Sequence, residues 1–274
     1  MLITKDFVML NFPKTGSTFV RKMFFEYFEM PLYDNVGNIK DSDVIFELWL
    51  PKIFETNHYN ILEQHGTAIQ IPLEHQKKEI VSVIRDPLDR YISTYFFKWW
   101  EKHPPAPEIE VKKKYPNYPN LTFGEYFEMM HIWGRENRLK DVSLNCDIGL
   151  NTIQFIQFYF KNPIDVLNKI DDDYIDSNLF YKDMFDIKFL RQSHLNEDLI
   201  SYLSKFDFNE GFLSSISETG KIHVTGSRVE NEDSMAITDE LKQELMYRER
   251  LVYKVLQKVV AEYESDKCNQ NITS

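Results

Sequence analysis

The sequence predicts an α/β fold: a three-layer, P-loop-like domain with a central parallel sheet flanked by helices, and a mainly helical C-terminal half. Three observations lead there. Short apolar runs alternate with amphipathic stripes over the first hundred residues or so, as in strands joined by helical crossovers. The runs are apolar at successive positions, the pattern of strands covered on both faces. Beyond them, helical periodicity dominates to the C-terminus.

The elements follow in order. Phe7–Phe12 (FVMLNF) is the first buried run, entered directly from MLITKD with no basic region or cleavage site ahead of it. Val20, Met23, Phe24, Tyr27 and Phe28 then mark one face of a helix. Ile53–Asn57 (IFETN) is a weaker strand candidate that ends at His58. Ile80–Ile84 (IVSVI) is a strong one, ending at Arg85-Asp86-Pro87. Pro87 suits a first helical position, and Tyr91, Ile92, Tyr95 and Phe96 supply that helix's apolar face. Trp99 and Trp100 close the stripe and read as core rather than as a stacking platform. His103–Asn120 holds five of the 11 prolines and the Lys112–Lys114 run, and is expected to be a loop, either a substrate-contacting lid or a solvated excursion. Helices are expected at Phe123–Met130, Thr152–Phe160 and Asn196–Lys205, and a long last one from about Thr238 to Tyr263. Its core face is Leu241, Leu245, Val252, Val255, Leu256, Val259 and Tyr263. No linker divides the chain, so residues 1–274 read as one domain.

Composition narrows the classes. The 274 residues carry 32 Lys+Arg against 43 Asp+Glu, a net charge of −11, which argues against nucleic acid as a partner. With 43% hydrophobic and 15% aromatic residues the chain can build a large core, which excludes wholesale disorder. No stretch approaches the ~18 apolar residues of a membrane span. Two cysteines, Cys146 and Cys268, make no disulfide framework, and a reduced, cytoplasmic protein is expected.

In parallel sheets, ligands gather beyond the carboxyl ends of the strands. Here those ends carry Lys14–Thr18, His58 and Arg85. A strand feeding Pro13-Lys14-Thr15-Gly16-Ser17-Thr18 and then a helix is an anion site, because first-turn N–H groups lack intrahelical partners and the helix dipole is positive there. Gly16 admits a phosphate close to the backbone, Ser17 and Thr18 add hydroxyls, and Lys14 adds a point charge. The lysine precedes the glycine, unlike G-x-x-x-x-G-K-[ST], which disfavours a nucleoside triphosphatase. Arg85 can fork onto a second phosphate, with Ser93 two turns into the next helix.

FPKTGSTF resembles the 5′-phosphosulfate loop of sulfotransferases that use 3′-phosphoadenosine 5′-phosphosulfate (PAPS), and IVSVIRDPLDRYISTYF resembles their 3′-phosphate segment. LTFGEYFEMM, NTIQFIQFYF, HLNEDLISYL and HVTGSRV look like landmarks of the carbohydrate-type branch, which includes uronyl 2-O- and glucosaminyl 6-O-sulfotransferases. Unlike the Golgi members, the chain is expected to carry neither a membrane anchor nor lumenal disulfides.

The resemblance implies metal-free, in-line transfer of a sulfuryl group from PAPS to a hydroxyl, of a saccharide or glycosylated small molecule. Lys14 would stabilise the leaving phosphate, and the backbone of Thr15–Thr18 would hold the 5′-phosphate. Arg85 and Ser93 would take the 3′-phosphate; the segment with Ser227 and Arg228 would either close over the nucleotide near a phosphate or form a plain β-turn before the last helix. His58 is the chosen general base and Glu55 its competitor, with His65, His75 and His103 weaker. Asp171-Asp172-Asp173 reads as a solvated charge run, and no metal is expected. Two rival classes stand beside this one. A nucleotide-dependent kinase would need a metal-holding carboxylate, for which Asp86 is the candidate. A non-catalytic module would bind the nucleotide without transfer.

Overall fold

Alternation within each apolar run sets the layers, since successive strand residues face opposite ways. The computed structural model describes residues 1–29, 39–41, 45–54, 62–139, 142–220, 235 and 237–272. Its strands are β1 (Leu2–Thr4), β2 (Phe7–Leu10), β3 (Ile39–Asp41), β4 (Ile45–Glu47), β5 (Leu50–Pro51), β6 (Leu62–Glu63), β7 (Glu79–Ile84) and β8 (Ile187–Arg191). Phe7, Met9, Val81, Val83 and Leu190 pack on one face with Val20 and Phe24 of helix α1 (Ser17–Tyr27), and with helices Leu195–Leu203 and Glu210–Glu218. Val8, Leu10, Ile80, Ile84 and Phe189 pack on the other, against helices Leu150–Tyr159, Pro163–Lys169 and Arg250–Ile272. The three layers are as expected, and the second half of the chain is mainly helical.

The sheet is mixed rather than wholly parallel, in the order β3-β4-β1-β2-β7-β8. β2, β7 and β8 run parallel, while β1, β3 and β4 form an antiparallel flank. Leu2–Thr4 doubles back on Phe7–Leu10 through Lys5-Asp6, a hairpin in which the Thr4 hydroxyl accepts from the Phe7 N–H at 2.9 Å. Register aligns the parallel strands so that β2, β7 and β8 all end at the same edge. Asn11–Lys14, Arg85 and Gln192 follow those three ends.

Four local expectations change. Ile53 and Phe54 form a bend, not a strand, and residues 55–57 of that candidate lie outside the described residues. The neighbouring β5 and β6 instead pair only with each other. Residues 103–120 are not a plain loop: Glu108–Lys114 is a helix whose Val111, with Tyr115 and Tyr118, is buried in a third core around helix α2 (Pro87–Phe97). The proline cluster delimits that helix, since Pro107 precedes its first residue and Pro116 follows its end. Trp100 is buried, but Trp99 is half exposed, because Lys98 in left-handed backbone (φ 58°) ends α2 and turns the chain.

The last expected helix is two, Asp239–Arg248 and Arg250–Ile272, broken at Glu249. Its core face is otherwise as read, with Leu245, Val252, Val255 and Val259 buried. Asp171 caps helix Asp172–Asp176 through the Tyr174 N–H, and Asp172 pairs with Arg250.

Candidate active site: a cationic cavity at the strand ends

Where β2 ends, the chain turns through two left-handed residues, Lys14 (φ 66°) and Gly16 (φ 107°). Lysine adopts that region at a cost, and such strain collects at ligand clamps. At Gly16 a side chain would be strained by the positive φ, and a Cβ would also lie 2.9 Å from Leu195 Cδ2, which would have to move. Helix α1 starts at Ser17 with no side-chain cap, so its positive end is open to a ligand. If the loop binds a nucleotide phosphate, as the sequence resemblance implies, Gly16→Ala is expected to lower that affinity at least about tenfold, because the loop must shift where backbone N–H groups would meet it. Calorimetric titration checks this, and unchanged affinity would remove the loop from the site.

Two guanidinium hydrogen bonds fix the loop. Arg85 Nη1 donates to the Lys14 carbonyl at 3.1 Å. Arg90 Nε donates to the Pro13 carbonyl at 2.9 Å. The rest of the Arg90 fork donates to Asn151 Oδ1 and, at 2.6 Å, to Gln154 Oε1, while its plane lies 4.4 Å from the Phe12 ring centre. The Lys14 ammonium sits 3.7 Å from the Phe97 ring centre. Burial, with Arg85 and Arg90 nearby, lowers its pKa from 10.5 to about 8.

Lys14, Gly16, Ser17, Thr18, Arg85 and Ser93 line one cavity of about 1340 Å³. The two cations on which the sequence reading depends therefore face a common space. Thr15 does not reach it with its side chain: the residue is buried and its hydroxyl donates to the Phe12 carbonyl at 2.9 Å, leaving only backbone for a ligand. His58, Glu55, Ser227 and Arg228 lie outside the described residues. His65 lines the cavity, its Nδ1 2.6 Å from the Asn11 carbonyl oxygen, and burial pushes its pKa down to about 4. His103 also reaches the cavity, stacked on Trp99, whereas His75 does not line it. Asp86 Oδ1 accepts from the Leu88 and Asp89 N–H groups and so caps α2.

Sequence reading missed several contributors. Gln192, Ser193, His194 and Leu195 bring the end of β8 into the cavity, a strand hidden in a helix-rich region. Arg90, read only as part of a motif, is the residue that ties the loop to helix Leu150–Tyr159. Among the described residues no group of three or more His, Cys, Asp or Glu gathers as a metal set. Nor, among them, is any helix long and apolar enough to cross a membrane.

Fold and site together define an α/β protein with a cationic cavity at the ends of parallel strands, lysine before glycine and arginine on the neighbouring strand. The sequence model described as Sulfotransferase family matches residues 3–170, more than half of the chain, and the chain belongs to that family. The carbohydrate-type likeness is consistent with this membership. Comparison with curated proteins and with solved structures gave no match.

Proposed function

We infer that the protein is a PAPS-dependent O-sulfotransferase acting on a hydroxyl of a saccharide or glycosylated small molecule. The carrying observation is the single cavity lined by Lys14, Arg85 and Ser93 beside the open end of α1. PAPS would supply the sulfuryl group and leave as 3′,5′-adenosine diphosphate. The residues present suit it: the Cβ-free Gly16 and the α1 N–H groups for one phosphate, Arg85 and Ser93 for the other. As the acceptor oxygen bonds to sulfur and the sulfur–phosphate oxygen bond breaks, Lys14 stabilises charge on the departing oxygen and a histidine takes the hydroxyl proton. Two cysteines and no disulfide framework fit a cytosolic setting for this chemistry.

The base assigned here is His58, on its place in the chain between the two phosphate motifs. Its replacement by Ala is expected to lower kcat by about 10²–10⁴ with little change in nucleotide affinity. His65 is the alternative that the cavity supports; a loss of that size in His65→Ala, with His58→Ala near wild type, would move the role there. The kinase reading is weaker because Asp86, the carboxylate it relies on, is committed to capping α2. The whole assignment is tested by incubating the protein with sulfur-labelled PAPS and a fractionated host extract. Transfer of label to an acceptor is expected, and label that stays on PAPS with every fraction would contradict it.

A further inference from the structure

The cationic cradle takes up only part of the cavity. At about 1340 Å³ the space exceeds the ~300–1,000 Å³ of a pocket for one drug-sized ligand, so it has room for a second molecule. An aromatic ladder starts at the Lys14 ammonium. The Phe97 ring lies against Lys14 Nζ, and Trp99 continues from it with centroids 6.3 Å apart and planes 16° apart. His103 stacks on Trp99 at 4.0 Å and 24°. Phe97 and Trp99 are each 53% exposed, and all three rings line the cavity, as do Pro104 and Pro105. Asn137 Nδ2 donates to the Pro105 carbonyl at 2.6 Å, which holds that end in place.

We propose that the Phe97–Trp99–His103 ladder is the acceptor subsite, and that it takes a pyranose ring by its flat C–H face. This rests on the sulfotransferase reading. On that reading Lys14 marks the sulfuryl end of the donor, so a ring beside its ammonium meets the acceptor rather than the adenine. Large apolar side chains left half exposed inside a cavity indicate a ligand surface. A pyranose also needs hydrogen-bonding groups for its rim hydroxyls, and Asn137, Arg138 and Gln154 line the same cavity.

Saturation-transfer NMR with methyl β-D-glucopyranoside and, separately, phenol as probes tests the subsite, on protein with and without saturating 3′,5′-adenosine diphosphate. The pyranoside is expected to receive saturation on its C–H protons, and Trp99→Ala to weaken its binding about threefold to tenfold, as loss of one ring contact does. Trp99 is half exposed, so the variant should fold, which an unchanged nucleotide titration verifies. Equal pyranoside transfer in wild type and Trp99→Ala, or transfer to phenol alone, would overturn the proposal. Failure to bind the nucleotide would instead count against the sulfotransferase reading, leaving the nucleotide-free probe result to judge the ladder.

Discussion

Replacing Lys14 with alanine is expected to lower kcat by about 10²–10³ while changing nucleotide affinity far less, because in the proposed transfer its charge would be needed most where the leaving oxygen becomes negative. The same residue sets a pH limit. Its pKa is lowered to about 8, so the free enzyme loses this charge as pH rises through 8 rather than through 10.5. The pH dependence of kcat/KM, which reports free-enzyme groups, is expected to fall above about pH 8. Lys14→Arg keeps the charge and should lose that alkaline limb even if its rate is poor. A Lys14→Ala enzyme with wild-type turnover would remove the residue from the mechanism.

Glu249→Ala is expected to be strongly destabilising, although it lies away from the Pro13–Thr18 loop. The carboxylate is fully buried and accepts from Tyr91 Oη at 2.7 Å, the Asn151 N–H at 3.2 Å, and the Thr152 N–H and hydroxyl at 2.6 and 2.8 Å. It thus caps helix Leu150–Tyr159 with negative charge at the positive end of the dipole. The approach is so close that a Cβ on Gly149 would lie 1.9 Å from Glu249 Oε1. Burial by itself pushes the carboxyl pKa up, and the four donors oppose that shift. Removing the acceptor leaves those donors unsatisfied in the interior, a loss of about 3–5 kcal/mol. For a chain of this size that corresponds to a fall in Tm on the order of 10 °C. Because Asn151 and Gln154 of the capped helix hold Arg90, and Arg90 holds the Pro13 carbonyl, nucleotide affinity should fall with it. A thermal melt within about 2 °C of wild type would show that water or neighbouring groups replace the cap.

The parts of the molecule legible in the sequence are those where one periodicity rules. FVML and IVSVI alternate across two apolar layers, and the strand–lysine–glycine order marks the loop in the sequence itself. Arg85 stands at the end of β7 beside the loop, where a strand end leaves few directions for a long cation, and its guanidinium meets the Lys14 carbonyl. What stayed hidden depends on single backbone residues. Lys98 adopts φ 58° with no glycine to signal it, and that turn moves Trp99 from the expected core into the cavity. The helix break at Glu249 is equally silent, because the buried carboxylate belongs to a contact about a hundred positions away in sequence. β8 (IKFLR) was missed for want of flanking turn residues, although its end supplies a wall of the site.

Calorimetric titration of wild type and Arg85→Ala with 3′,5′-adenosine diphosphate and with adenosine 5′-monophosphate probes most directly whether Lys14 and Arg85 grip one nucleotide. Wild type should prefer the doubly phosphorylated ligand by about tenfold to a hundredfold, the value of charge-assisted bonds to one phosphate, and the variant should lose that preference while still binding the monophosphate. Equal losses for both ligands, or a wild type that ignores the 3′-phosphate, would contradict the account.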